Sequence, residues 1–239
     1  LKAGITASLK NLVGINTYKN FLPHYTLGGP EEGGDQFPRV QGMQRLEAGG
    51  GKWLKQRVLK HTALARLFSY VKPLLGRVMG EEGVIRSGCW HGNDTLWRMV
   101  LDLNKVFFYA DTQGRLVSDR FAKRRLYISV VDAVAAGQGD GPLRPQPCAL
   151  GALFCGSDPI VLDTVCARGL GFDYRLIPTL RQAWMVRNLP LTDCRPEEIR
   201  IHTESGIHGL DELRPLIGEA VCPARGWEVL AEKRTGEAR

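Results

Sequence analysis

Lys10 and Asn11 stand side by side in the stretch "GITASLKNLVGI", between Gly4 and Gly14 and among small and apolar residues. A lysine drawn out of water loses basicity, so it can move a proton or offer a point charge to an anion, and an asparagine beside it can orient a substrate or a water. A second concentration of chemistry lies in "AAGQGDGPLR", where Gly137, Gly139 and Gly141 surround Asp140. Glycines let backbone amides approach an anion closely, which makes these three candidate substrate-binding positions and Asp140 a candidate catalytic carboxylate alongside Lys10 and Asn11. The segment has no GK[ST] and no GxGxxG opening a helix, so neither nucleotide fingerprint applies. A tight turn explains the glycines equally well, but it does not explain Asp140.

Asp132 falls in an apolar run, Asp158 precedes a Pro and an apolar helix pattern, and Asp163 sits inside "PIVLDTVCA". A carboxylate among Ile160, Val161, Leu162 and Val165 is costly unless it is paired or holds a metal. Lys10 is one candidate partner for Asp163; an arginine or backbone amides are others. Asp158 reads most simply as a helix cap. Carboxylates near Gly-rich backbone suit a hard divalent cation such as Mg²⁺, with Asp132, Asp140 and Asp163 as its candidate ligands.

The cysteines, Cys89, Cys148, Cys155, Cys166, Cys194 and Cys222, form no CxxC, and the histidines form no HExxH. That spacing fits neither a zinc ribbon nor an iron-sulfur cluster and favours reduced thiols in the cytoplasm. Cys155, ahead of a helix start, is a candidate thiolate, although Cys155 and Cys166 read more simply as small hydrophobes. His24 and His91 are candidate acid-base groups.

The elements that would position these residues follow from periodicity. "LYISVVDAVAA" reads as a buried strand leading into the Gly-rich loop, and "CALGALFCG" as a second strand. "SDPIVLDTVCARGLG" reads as a helix capped by Ser157 or Asp158, opened by Pro159 and stopped by Gly169 or Gly171. Another helix should start near Thr95, capped by Asn93 or Asp94, with Leu96, Trp97, Val100, Leu103 and Phe107 inward. A helix is expected around Thr179 to Arg187, a strand at "EIRIH", and a short helix or turn at "GLDELRPLIGEA". Strand, loop, strand and helix in succession predict an α/β fold, a mixed sheet with helices packed on it. Residues 1–239 are read as a single domain lacking an N-terminal segment, with 28–83 inserted as a Gly-rich loop and an amphipathic helix kinked at Pro73.

The chain of 239 residues carries a formal net charge of +7, and Lys52–Met79 alone holds seven Lys or Arg with no Asp or Glu. The excess is local, which argues against a general nucleic-acid binder and for one basic surface. That helix either packs on the core with a basic solvent side or meets an anionic membrane surface or a protein partner, with Trp53 as an interfacial anchor. No apolar run is long enough for a membrane-spanning helix.

Taken together, Ser8, Leu9, Lys10, Asn11 and Gly14, then Asp132, Gly139, Gly141 and Pro142, then Asp158, Pro159 and Asp163 resemble the uncharacterised family called domain of unknown function 362. The resemblance implies an α/β fold in a prokaryotic, cytosolic setting, and its name supplies no reaction. Some members carry ferredoxin-like cysteine clusters; this chain has none, so no iron-sulfur cluster is expected. The resemblance implies that Lys10 and Asn11 share a site with the Asp140 loop and the Asp158–Asp163 helix. The expectation is an enzyme acting on a small anionic substrate, by metal-assisted hydrolysis or group transfer, or by metal-free proton transfer through Lys10 or His24. The alternative is a non-catalytic accessory protein docking through Lys52–Met79.

Overall fold

The computed structural model describes residues 2–16, 22, 33–35, 38, 88–117, 127–141, 144–218 and 220–231. The expected Gly-rich insertion, the basic helix Lys52–Met79 and His24 therefore lie outside the described residues, apart from a few positions near Asp35.

Helix α1 spans Ser8–Ile15 and turns Leu9 and Val13 inward. Helix α2, Leu96–Tyr109, buries Leu96, Met99, Val100, Leu101, Phe108 and Tyr109, while Trp97, Leu103 and Phe107 lie only partly inside. Its start is fixed twice: Asn93 Oδ1 accepts from the amides of Thr95 and Leu96, and Asp35 Oδ2 accepts from those of Asp94 and Thr95. Of the two expected caps, Asn93 is the one that bonds the first turn.

Helix α3, Pro159–Gly169, follows its sequence signals closely. Asp158 caps it through the amides of Ile160 and Val161, and Pro159 opens it. It stops at Gly171, whose φ is +81°. The amide of Gly171 donates to the Arg168 carbonyl and that of Phe172 to the Ala167 carbonyl, the paired bonds of a Schellman ending. An added Cβ at Gly171 would lie 2.6 Å from Ala220 Cα, so glycine is required for space as well as conformation. Helix α4 spans Pro178–Met185 and packs Leu180 and Ala183 into the same core.

The strands depart from the expected mixed sheet. β1 (Ser129–Ala133) pairs antiparallel with β4 (Ala152–Gly156), and β2 (Ala136–Gln138) with β3 (Gln146–Cys148). The four segments make one interrupted hairpin, with the Gly-rich loop at its tip. β5 (Arg200–Thr203) and β6 (Gly206–Gly209) form another antiparallel pair. Helices with small antiparallel sheets remain an α/β composition. From Tyr127 to Ala136 the run "LYISVVDAVAA" is only half buried, because Val130, Asp132 and Val134 face solvent. Apolar composition concealed a period-two strand, as both of its faces carry β-branched residues.

The core gathers Leu9, Val100, Phe108, Ile160, Ile177 and Leu180 around Trp227, which is 1% exposed. No helix among the described residues is long and apolar enough to cross a membrane.

Candidate functional site

Helix α1 has no side chain of its own at its N-cap, where Ala7 stands. The cap comes from α3: Asp163 Oδ1 accepts from the Ser8 amide at 2.7 Å and Oδ2 from the Leu9 amide at 3.1 Å. An anion at a helix N-terminus satisfies amides that have no partner within the helix and meets the positive end of its dipole. Two more bonds hold the same turn. Asn104 of α2 donates to the Leu9 carbonyl at 2.9 Å and to the Val100 carbonyl at 2.8 Å, and Ser8 Oγ lies 3.1 Å from the Tyr127 hydroxyl. Three separate parts of the chain thus fix the turn that carries Lys10 and Asn11.

Asp163 is 3% exposed. Burial pushes its carboxyl up to about 7, against the two amide bonds, which favour the ionised form. Lys10 is not its partner. The Lys10 ammonium bonds Thr6 Oγ1 at 3.3 Å, and no carboxylate among the described residues pairs with it. Burial lowers its pKa below the ordinary lysine value, with Cys89 acting in the opposite sense. Lys2 is lowered by burial too, with the charge of Lys10 adding to the effect. Two ammonium groups therefore share one electrostatic neighbourhood, a pairing the sequence reading missed. The irregular segment between them carries no period that would place Lys2 beside Lys10.

Lys10 and Asn11 look in different directions, as adjacent helical positions do. Lys10 lines a small cavity of about 10 Å³ together with Asp163 and Thr179, walled by Ile5, Leu9 and Leu180. Asn11, with Ala7 and Ser8, lines a wider, open cleft of about 230 Å³ whose far side is residues 129–132 of β1. Asp132 is an exposed wall of that cleft, and one of its oxygens accepts from the Val134 amide at 3.0 Å.

The Asp140 loop lies elsewhere, beyond β2 at the hairpin tip. Asp140 pairs with the Arg225 guanidinium at 3.2 Å and accepts from the Arg225 amide at 3.3 Å. Gly137 sits within β2 opposite Pro147. The Gly139 amide donates to the Cys222 carbonyl, and the Gly141 amide to the Gly139 carbonyl. Gly139 has φ +69°, so the turn itself calls for glycine there. The C-terminal segment docks on this loop, and it has a described role as a hairpin turn held by Arg225 and Cys222.

Asp132, Asp140 and Asp163 are accordingly each engaged by different partners. Among the described residues no group of three or more His, Cys, Asp or Glu side chains is placed to hold a metal ion. All six cysteines are free thiols. Burial, with the Asp163 carboxylate adding, pushes the Cys166 thiol up to about 12 and leaves it unreactive. Cys155 lies exposed on the outer face of β4. His91 packs edge-on against Trp227, ring centres 5.7 Å apart, with its Nε2 buried and unbonded.

The family whose description reads "Domain of unknown function (DUF362)" matches residues 2–168, and the chain belongs to it. No curated protein and no solved structure matches the chain significantly.

Proposed function

From membership in a family whose description names no activity, we propose that this protein is a cytoplasmic enzyme acting on a small anionic substrate, with Lys10 as the group that meets the anion and exchanges a proton with it. The observation that carries this reading is a half-buried lysine whose ammonium has a hydroxyl and no carboxylate among its described partners, within electrostatic reach of a second ammonium. A structural lysine is normally paired or snorkels to water. A lysine partly desolvated with no carboxylate beside it among the described residues binds an anion, or gives up its proton, more readily than a solvated one. Lys2 adds charge for the substrate, and Asn11 orients groups that reach the α1–β1 cleft. The metal-assisted version needs Asp132, Asp140 and Asp163 to converge, so metal-free proton transfer carries more weight.

Calorimetric titration with inorganic phosphate, sulfate and simple carboxylates tests the reading in the wild type, Lys10→Met and Lys2→Met. Millimolar or tighter binding that is lost in Lys10→Met and weakened in Lys2→Met supports it. Binding of none of these anions, or binding indifferent to both changes, overturns it. Titration with Mg²⁺ and Mn²⁺ against Asp132→Asn and Asp140→Asn decides the metal-assisted version separately.

A second reading, a non-catalytic accessory protein, draws support from the outer face of the β1–β4 pair. There Val130, Leu153 and Val134 are more than half exposed. Salt-sensitive binding to anionic vesicles that survives Lys10→Met would favour it.

A further inference from the structure

The stretch "SGIHGLDE", residues 205–212, brings together three side chains whose types and spacing suit one chemistry. Ser205 occupies the two-residue turn between β5 and β6, His208 lies in β6, and Glu212 closes the short helical turn Leu210–Glu212 that follows. Ser205 Oγ is 3.0 Å from His208 Nε2, and the Glu212 carboxylate is 3.6 Å from the other ring nitrogen, Nδ1. A hydroxyl within hydrogen-bond reach of an imidazole, with an anion on the far side of the ring, is the arrangement that activates a nucleophile.

The surrounding bonds hold the three in place. Ile199 and Leu210, at the two ends of the hairpin, are buried together with Val165 of α3. Glu212 Oε2 also accepts from the Gly209 amide at 3.1 Å, which fixes the carboxylate beside the ring. Thr203 Oγ1, 2.9 Å from Ser205 Oγ, donates its one hydrogen to the Gly206 carbonyl at 3.2 Å and accepts from the Ser205 amide at 3.2 Å. An anion on the Nδ1 side favours the tautomer that carries its hydrogen there, which leaves Nε2 a bare acceptor for the Ser205 proton. Ser205 is exposed and His208 half-buried, so a substrate reaches the hydroxyl directly from solvent.

We propose that Ser205 is a nucleophile that accepts acyl groups from small activated esters, with His208 as its general base and Glu212 as the residue that positions the ring. The Ser205 amide is already given to Thr203 and the hairpin is open, so the substrate class is esters whose good leaving group reduces the need for an oxyanion hole. Ser205 Oγ bonds to the acyl carbon while its proton passes to His208 Nε2. The bond to the leaving oxygen then breaks, and that oxygen departs with the proton from Nε2. A water, giving one proton to Nε2, attacks the acyl-serine; the acid leaves and Ser205 Oγ regains its hydrogen from the ring. The Glu212 carboxylate stabilises the imidazolium formed in each half. This activity goes beyond the reading of Lys10 and shares no residue with it.

The test is labelling of the full chain with a fluorophosphonate probe, mapped by mass spectrometry, with p-nitrophenyl acetate hydrolysis measured alongside, in the wild type, Ser205→Ala, His208→Ala and Glu212→Gln. The proposal expects the label on Ser205 of the wild type, and hydrolysis faster than in Ser205→Ala. His208→Ala should slow labelling by on the order of 10²-fold. Glu212→Gln keeps an oxygen for the Gly209 amide, so exchange protection of that amide should be retained while labelling slows by a smaller factor, a loss that reads the charge and not the shape of the turn. No label on wild-type Ser205, or label spread over exposed hydroxyls such as Ser157, overturns the proposal whatever the variants do. So does labelling of Ser205 in His208→Ala at the wild-type rate, or hydrolysis by Ser205→Ala equal to that of the wild type. Labelling of Glu212→Gln at the wild-type rate overturns the positioning role. None of these outcomes depends on anion binding, so failure here is separable from failure of the proposed function.

Discussion

Two aspartates of one short segment, Asp158 and Asp163, do the same job in different places. Asp158 caps α3, the helix it precedes, through amides two and three residues ahead. Asp163 caps α1, a helix 155 residues away in sequence, from inside the core. The local cap is partly solvated and fixes one helix end. The distant cap is buried and fixes the relation between two helices, so it sets where Lys10 and Asn11 stand. In the fold the D-P-x-x-x-D pattern supplies a pair of helix caps.

The sharpest way to break the comparison is pH. The Asp163 carboxyl sits at about 7 in the fold against 3.8 ordinarily. Between those values the folded state holds a proton that the unfolded chain has released, so the contribution of Asp163 falls as pH rises from about 4 to about 7 and is level above. The full displacement corresponds to on the order of 4 kcal/mol. Urea unfolding from pH 4 to 8 should show wild-type stability declining relative to Asp163→Asn across this window. Next in size, Asp163→Ala strands two buried amides and should cost about 2–4 kcal/mol near pH 6, with loss of exchange protection at Ser8 and Leu9. Asn104→Ala removes the bond to the other side of the same turn and should cost about 1–3 kcal/mol, again with faster exchange in α1. Asp158→Ala should cost about 1 kcal/mol, confined to the start of α3. Smallest is Asp132→Asn, an exposed change expected to lie within about 0.5 kcal/mol of wild type in the same unfolding measurement.

What was legible in the sequence was local. Asp158, Pro159 and Gly171 marked α3 because caps, N1 prolines and left-handed stops act within a few residues of themselves. Asn93 marked α2, and "EIRIH" marked β5, for the same reason. What stayed hidden was long-range. Nothing near Asp163 says that its partners are the amides of Ser8 and Leu9, and nothing near Lys10 says that Lys2 and Thr179 are its neighbours. One signal was available and unused: Asn104 is a polar residue on an otherwise apolar helical face, which calls for a buried partner. The strand run ending in the Gly-rich loop misled for a different reason. Its composition fits a strand end in a layered α/β sheet as well as the arm of an antiparallel hairpin, and only the pairing of β1 with β4 distinguishes the two. The anion-binding role read for Gly139 and Gly141 rested on that first picture, and the hairpin gives their amides protein acceptors.

The central claim is that α1 is held so that Lys10 is partly desolvated and, among the described residues, has no carboxylate partner. The direct measurement is an NMR titration of the Lys10 side chain, assigned with Lys10→Arg. The account predicts a pKa clearly below the ordinary lysine value of 10.5. Titration at or above 10.5 would mean that Lys10 is solvated or paired, and would contradict the account.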